Sequence, residues 1–189
     1  MIPKARLDAL TDGIFAFAMT LLVLDLRLPD GFNPQTATDL LNGLSGLSGQ
    51  LLAYVISFFV LGARWLGMTR AGAPAETVGG GFSLWMLAYL FFITCMPFST
   101  MVIGRYGDLP PAVWLYAANM IVPSIISLRL APPGKTAGGW LGVTTLIGSA
   151  ALSVAISLVS PSNAMYAYLL MLLPRMIRWI WPGSRAAAA

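Results

Sequence analysis

The sequence predicts an all-α integral membrane protein with six transmembrane helices, and two observations support that prediction. Of the 189 residues, 58% are hydrophobic and only 10% are charged, and the mean hydropathy is +0.78. Soluble domains carry about 25% charged residues. In addition, apolar runs of about 20 residues, the length that crosses a bilayer core of about 30 Å, recur along the whole chain.

Six apolar segments form one predicted domain over residues 1–189. The fourth segment starts at two prolines, Pro110 and Pro111, and proline is tolerated in the first turn of a helix. The fifth is rich in Gly, Ala, Ser and Thr, which allow helices to pack closely in lipid. The long connection at 29–47 is expected to be a loop with one short helix. The predicted spans are 7–28, 48–68, 82–104, 111–130, 139–160 and 162–181.

Composition also limits the possible functions. The net charge of +4 is not concentrated in a basic run, so no nucleic-acid partner is expected. The chain has no histidine, which excludes His-ligated metals and Ser-His-Asp catalysis. No other nucleophile–base pair or metal-ligand set is recognisable. The chain is therefore predicted not to be an enzyme and to hold no metal.

The first span is more polar than a lipid-facing anchor. Over 22 residues it reaches about 33 Å as a helix, which is enough to cross the bilayer core. A charge near the bilayer centre costs at least about 2.5–3.5 kcal/mol, so charged side chains there turn towards protein or water. This pattern is typical of a helix beside an aqueous path. The charged residues concerned are Asp8, Asp12, Asp25 and Arg27.

Helical periodicity places Phe17, Leu21 and Leu24 on one face of the first span, together with Leu28. At about 100° per residue, Asp12 lies roughly 140° from Phe17 and should point towards neighbouring helices. Asn119, Tyr89 and Trp65 are candidate polar partners for it. Two interpretations of the apolar face remain open, namely packing inside a helix bundle and lining a pore.

The start of the first span resembles a known family signature. The pattern Arg6-x-x-x-Leu10-Thr11-Asp12-x-x-x-Ala16 resembles the Arg-x-x-x-Phe-Ser-Asp-x-x-x-Ala motif of the lysosomal potassium channel family (transmembrane protein 175), in particular its one-repeat prokaryotic homologues. Arg6, Asp12 and Ala16 match the motif, whereas Leu10 and Thr11 replace its Phe and Ser.

The resemblance implies a tetrameric potassium channel, with a fold unlike that of ordinary potassium channels, whose first helix lines the pore. It assigns Phe17, Leu21 and Leu24 to the hydrophobic constriction and Thr20 to a selectivity ring. Phe17 departs from the family, which usually has an aliphatic residue there. The signature residues would form a polar network off the permeation axis, with either a structural or a gating role for Asp12. The only bound species implied are the permeant potassium ions, without a cofactor.

Charge bias predicts the orientation in the membrane. If both termini lie in the cytoplasm, nine of the eleven Lys and Arg residues fall on the inner side, as the positive-inside rule requires. The chain is therefore expected to be a multi-pass protein of the plasma (inner) membrane, in contact with lipid and with copies of itself. Asp25 and Asp30 fall at the outer face, where several copies would attract cations.

Two alternative functions remain open besides a channel. A secondary transporter could couple transport to protons through Asp12, although such transporters usually contain paired repeats or broken helices in matching positions. A structural membrane protein without conductance would have the same composition. A potassium flux measurement separates the three.

Overall fold

The computed structural model describes residues 2–71, 76–131 and 137–171, and most of these residues are helical. The others form connecting loops and turns and one pair of two-residue strands. In chain order the elements are β1 (Ile2–Pro3), α1 (Lys4–Leu21), a first 3₁₀ helix (Leu22–Asp25), α2 (Ala37–Ser45), α3 (Ser48–Ala71), β2 (Thr77–Val78), α4 (Gly80–Thr94), α5 (Met96–Tyr106), α6 (Pro110–Leu130), α7 (Ala137–Ser157) and a second 3₁₀ helix (Pro161–Met171).

Four helical stretches within the described residues are long and apolar enough to cross a membrane, whereas six spans were predicted. The apolar part of α7, Gly142–Ser157, is shorter than the other four. The predicted sixth span, 162–181, begins in the second 3₁₀ helix and continues outside the described residues. The four long stretches are Lys4–Asp25, Ser48–Thr69, Gly80–Tyr106 and Pro110–Leu130.

Two of these stretches are less regular than the sequence predicts. The third contains two helices, because α4 ends at Thr94 and α5 starts at Met96. Pro97 has no N–H group to bond the carbonyl four residues earlier, and it occupies the first turn of α5, where that donor is not needed. The first stretch tightens to a 3₁₀ helix after Leu21 and ends at Asp25, before the predicted end at residue 28.

The inner face of α1 anchors that helix to the bundle. Its buried residues are three or four positions apart, which places them on one side of an α-helix. The ring of Phe15 contacts Tyr89 of α4, with 6.4 Å between the ring centres. The opposite side of α1 is consequently turned away from the core. The buried residues are Leu7, Thr11, Phe15 and Ala18 in α1 and Leu22 at the start of the 3₁₀ helix.

Contacts at the two ends of the bundle define the direction of α1. At one end β1 pairs with β2 as antiparallel strands, and the Lys4 N–H donates a hydrogen bond to the Glu76 carbonyl at 3.0 Å. At the other end Asp25 lies 3.9 Å from Arg105 at the end of α5. It follows that α1 and the α4–α5 pair cross the bundle in the same direction.

Candidate pore-lining surface

One face of the C-terminal half of α1, continued by the 3₁₀ helix that follows it, is apolar and exposed. Phe17 is 72% exposed, Leu21 is 44% exposed and Leu24 is 66% exposed. Because the buried side of α1 lies against α3, α4 and α5, these three side chains project from the surface of the single chain. A continuous apolar surface of this kind is typical of contact with lipid, with another subunit or with a narrow aqueous path.

Thr20 adds an oxygen to this apolar face. Its Oγ1 donates to the carbonyl oxygens of Ala16 and Phe17, at 3.1 and 2.9 Å, and the side chain is exposed. A hydroxyl that gives its proton to its own helix keeps its lone pairs free to accept a bond or to contact a cation. Thr20 therefore presents an exposed hydroxyl oxygen on a surface that is otherwise hydrocarbon.

A groove of about 360 Å³ runs along the same face of α1. Its walls are almost entirely apolar, because most of the lining side chains are aliphatic or aromatic. Gly13 leaves an open space in the middle, with no atom within 4 Å of the position that a Cβ would occupy. The groove is lined by Ala9, Leu10, Gly13, Ile14, Phe17, Ala18, Leu21 and Thr94.

The signature residues of α1 are only partly brought together. Asp12 accepts a hydrogen bond from Trp65 Nε1 of α3 at 2.8 Å, so Trp65 is its partner among the three candidates. Thr11 is buried and donates to the Leu7 carbonyl at 2.8 Å. Arg6 is exposed and forms no ion pair with any described residue. Leu10 and Ala16 are also exposed.

The two outer acids have different surroundings. Asp25 is 35% exposed and lies beside the guanidinium of Arg105, which offsets part of its negative charge. Asp30 is exposed and precedes Gly31, whose φ of 82° allows the chain to turn there. Asp30 is therefore the more accessible of the two to an approaching cation.

Arg64 has a structural environment that the sequence analysis did not identify. Its Nη2 donates to the Met120 carbonyl at 2.8 Å and to Ser124 Oγ at 2.7 Å, both on α6. Met120 lies about one turn before Pro123, and Ser124 directly follows it. Pro123 has no N–H group, so one backbone hydrogen bond of α6 is missing there. The sequence contained a signal for this environment, because an arginine inside an apolar span is expected to face protein.

Further polar side chains link α3, α5 and α6 inside the bundle. Ser57 Oγ lies 2.9 Å from the Tyr116 hydroxyl and accepts a bond from Thr100 Oγ1 at 2.8 Å. Asn119 Nδ2 donates to Ser99 Oγ at 3.0 Å. These bonds fix the scaffold against which α1 packs.

Comparison with known proteins identifies the chain's relatives. Residues 6–97 match the family model described as the endosomal/lysosomal potassium channel TMEM175. A potassium channel of Chamaesiphon minutus is 30% identical over 135 residues, which are 70% of this chain and 66% of that protein. Residues 6–97 therefore resemble the TMEM175 family. The matched residues include the exposed face of α1 and its partner Trp65.

Two further relatives are also named as potassium channels. Potassium channels of Chryseobacterium sp. and Streptomyces collinus are each 29% identical, over 65% and 56% of this chain. The alignments span 60% and 50% of those two relatives' own lengths. The relatives are named as channels and not as enzymes, which agrees with the prediction that this chain is not an enzyme.

A solved structure shares the fold of this chain. The crystal structure of a lysosomal potassium-selective channel TMEM175 homologue from Chamaesiphon minutus aligns over 92% of this chain and 96% of its own, with a TM-score of 0.73 and 23% identity. The prediction of an all-α membrane protein is thereby confirmed.

Proposed function

We propose that this chain is the subunit of a potassium-permeable cation channel whose pore is lined by the exposed face of α1. The observation that carries the proposal is the combination of Phe17, Leu21 and Leu24 with the hydroxyl of Thr20 on one exposed face. The Thr20 hydroxyl donates to its own helix, and its exposed oxygen can still accept a bond or contact a cation. The potassium channel names of the relatives support the same function.

Ion passage would be controlled by dehydration at hydrophobic rings. Several copies of Leu21 and Leu24 around one axis would form constrictions in which water is unstable, and such constrictions close a pore by dewetting. Potassium holds its hydration shell less tightly than sodium, so a dehydration barrier favours potassium. The Thr20 oxygens would replace part of the lost hydration. The permeant potassium ions are the only bound species that this mechanism requires.

Assembly as a homotetramer would complete the pore, because a single α1 cannot enclose a path. Only 28% of the apolar stretch that includes α1 is buried inside the chain, which leaves a large apolar surface for a partner. The groove beside Gly13 gives a neighbouring α1 space for close approach. Phe17 would then either narrow the path or pack between subunits.

In the proposed topology six helices cross the plasma (inner) membrane, and both termini lie in the cytoplasm. The β1–β2 contact holds the N-terminus next to the connection between α3 and α4, so both lie on the same side. Lys4 and Arg6 lie at that end, as the positive-inside rule expects of a cytoplasmic face. At the opposite mouth Asp30 would attract cations, whereas the charge of Asp25 is paired with that of Arg105.

The decisive experiment is potassium flux from liposomes that contain the purified protein. Flux that follows the potassium gradient, with more potassium than sodium passed, would support the channel. Transport that requires a proton gradient would instead indicate the coupled transporter. Native mass measurement of the same protein should give a tetramer, and a monomer at every detergent concentration would count against the assembly.

A further inference from the structure

The outer end of α1 is fixed to the bundle at a small polar site. The 3₁₀ helix after Leu21 brings Asp25 to 3.9 Å from Arg105 Nη2 at the end of α5. This distance is longer than a direct hydrogen bond, and contacts of that length between polar groups are often bridged by water. Leu22, three residues before Asp25, is 1% exposed and anchors the same segment.

A cavity of about 10 Å³ lies at this site, which is about the volume that admits one water molecule. It is lined by Asp25 and Leu22, by Gln50 of α3, and by Gly104 and Arg105 of α5. The Oε1 atom of Gln50 is buried and has no hydrogen-bond partner among the described residues. Buried acceptors of this kind are usually satisfied by a bound water.

The platform beneath the site is tightly packed. A Cβ at Gly104 would lie 3.1 Å from the Gln50 Cα, so α3 and α5 approach each other too closely for most side chains there. Close packing of this kind holds α3 and α5 together at this point. The 3₁₀ end of α1 is thus attached by a solvent-accessible polar contact to a rigid surface.

We propose that Asp25 and Arg105, bridged by one water molecule that also binds Gln50, form a latch that sets the equilibrium between the open and closed pore. This inference rests on the proposed channel function and assigns Asp25 a role other than attracting cations. Breaking the latch would free the outer end of α1, which carries Leu21 and Leu24. Exposed ion pairs contribute modestly, so the closed-to-open ratio should change by about two- to five-fold per subunit.

Single-channel recording of Asp25→Asn, Arg105→Gln and the double variant tests the latch. Both single variants should shift the open probability in the same direction, and the double variant should shift it no further than either. Unit conductance at low ionic strength should stay unchanged in all three. Asp30→Asn is the matched control, because it removes an exposed outer acid that has no part in the latch. It should lower low-salt conductance and leave open probability unchanged.

The opposite pattern would overturn the latch. If Asp25 attracts cations, Asp25→Asn lowers and Arg105→Gln raises conductance at low salt, where charge effects reach furthest, and the two effects add. Thermal unfolding of the same variants in detergent measures the contact without any current. Additive losses of stability would exclude the contact. A non-additive result in a protein that passes no potassium would refute the channel and the gating role while retaining the contact.

Discussion

Trp65 Nε1 donates a hydrogen bond to Asp12 Oδ1 at 2.8 Å, and this bond joins α3 to the helix that carries the proposed pore face. The preceding residue, Arg64, binds α6 on the other side. Two consecutive residues of α3 therefore hold α1 and α6 in a fixed relation. Asp12 lies in the middle of α1, five residues before Phe17, and its side chain is about 140° around the helix from that residue.

Removal of the Asp12 carboxylate should make the attachment of α1 to α3 less stable, without changing the preference for potassium over sodium. A hydrogen bond to a charged group contributes about 1.5–3 kcal/mol, and the exposure of Asp12 favours the lower end of that range. Asp12→Ala should therefore lower the thermal stability of the oligomer or the open probability. Trp65→Phe, which keeps the ring and removes the donor, should have the same effect. A change of the reversal potential with normal stability would contradict this role.

Loss of Arg64 should destabilise the fold. Arg64→Met removes two donated hydrogen bonds beside the interrupted turn at Pro123, and the expected cost is about 1–3 kcal/mol. Arg64→Lys keeps the charge but cannot reproduce the planar two-bond geometry, so its loss should be smaller. Thermal unfolding in detergent measures both. Arg129→Met is the matched control, because Arg129 is exposed at the end of α6 and its loss should change stability little.

The prediction from sequence succeeded where local chemistry decides the structure. Pro110 starts α6 as expected, and the 29–47 connection contains one short helix, α2. The break between α4 and α5 was not predicted, because membrane helices often tolerate proline when neighbours satisfy the freed groups. The partners of Arg64 and Asp25 were not predictable either, since both lie far from their partners in sequence. Periodicity placed Phe17, Leu21 and Leu24 on one face, but whether that face is buried or exposed was left open, because that depends on the neighbouring helices.

The N-terminus of α2 should respond to acid in a defined direction. Hydrogen bonds from Thr36, first from its side chain and then from its backbone, lower the pKa of Asp39 below its ordinary value. The reciprocal bond runs from the Asp39 N–H to Thr36 Oγ1 at 3.1 Å. A lowered pKa means that this cap is fully formed above the ordinary aspartate pKa of about 4 and is lost as the pH falls through the lowered value.

Carboxyl titration by NMR with Thr36→Ala checks the cause of that shift. The pKa of Asp39 should rise towards its ordinary value in this variant, whereas Thr36→Ser, which keeps the hydroxyl, should preserve the lowered value. Amide exchange in α2 should increase in Thr36→Ala at neutral pH, because the capping hydrogen bond is lost. An unchanged pKa in Thr36→Ala would show that the Thr36 side chain is not the cause.

Substitution on the exposed face of α1 tests the permeation mechanism most directly. Leu21→Asn and Leu24→Asn should hydrate the constriction and raise unit conductance, because polar side chains keep water in a narrow apolar ring. Thr20→Ala removes the exposed hydroxyl oxygen and leaves the apolar rings intact. The preference for potassium over sodium should therefore fall by a modest factor. Val23→Asn serves as a comparison outside the proposed constriction. Val23 is exposed, but it is not one of the residues assigned to that constriction. If Leu21→Asn and Leu24→Asn leave conductance unchanged, and Thr20→Ala leaves the reversal potential unchanged, then this face of α1 does not line the ion path and must be covered by lipid or by a partner.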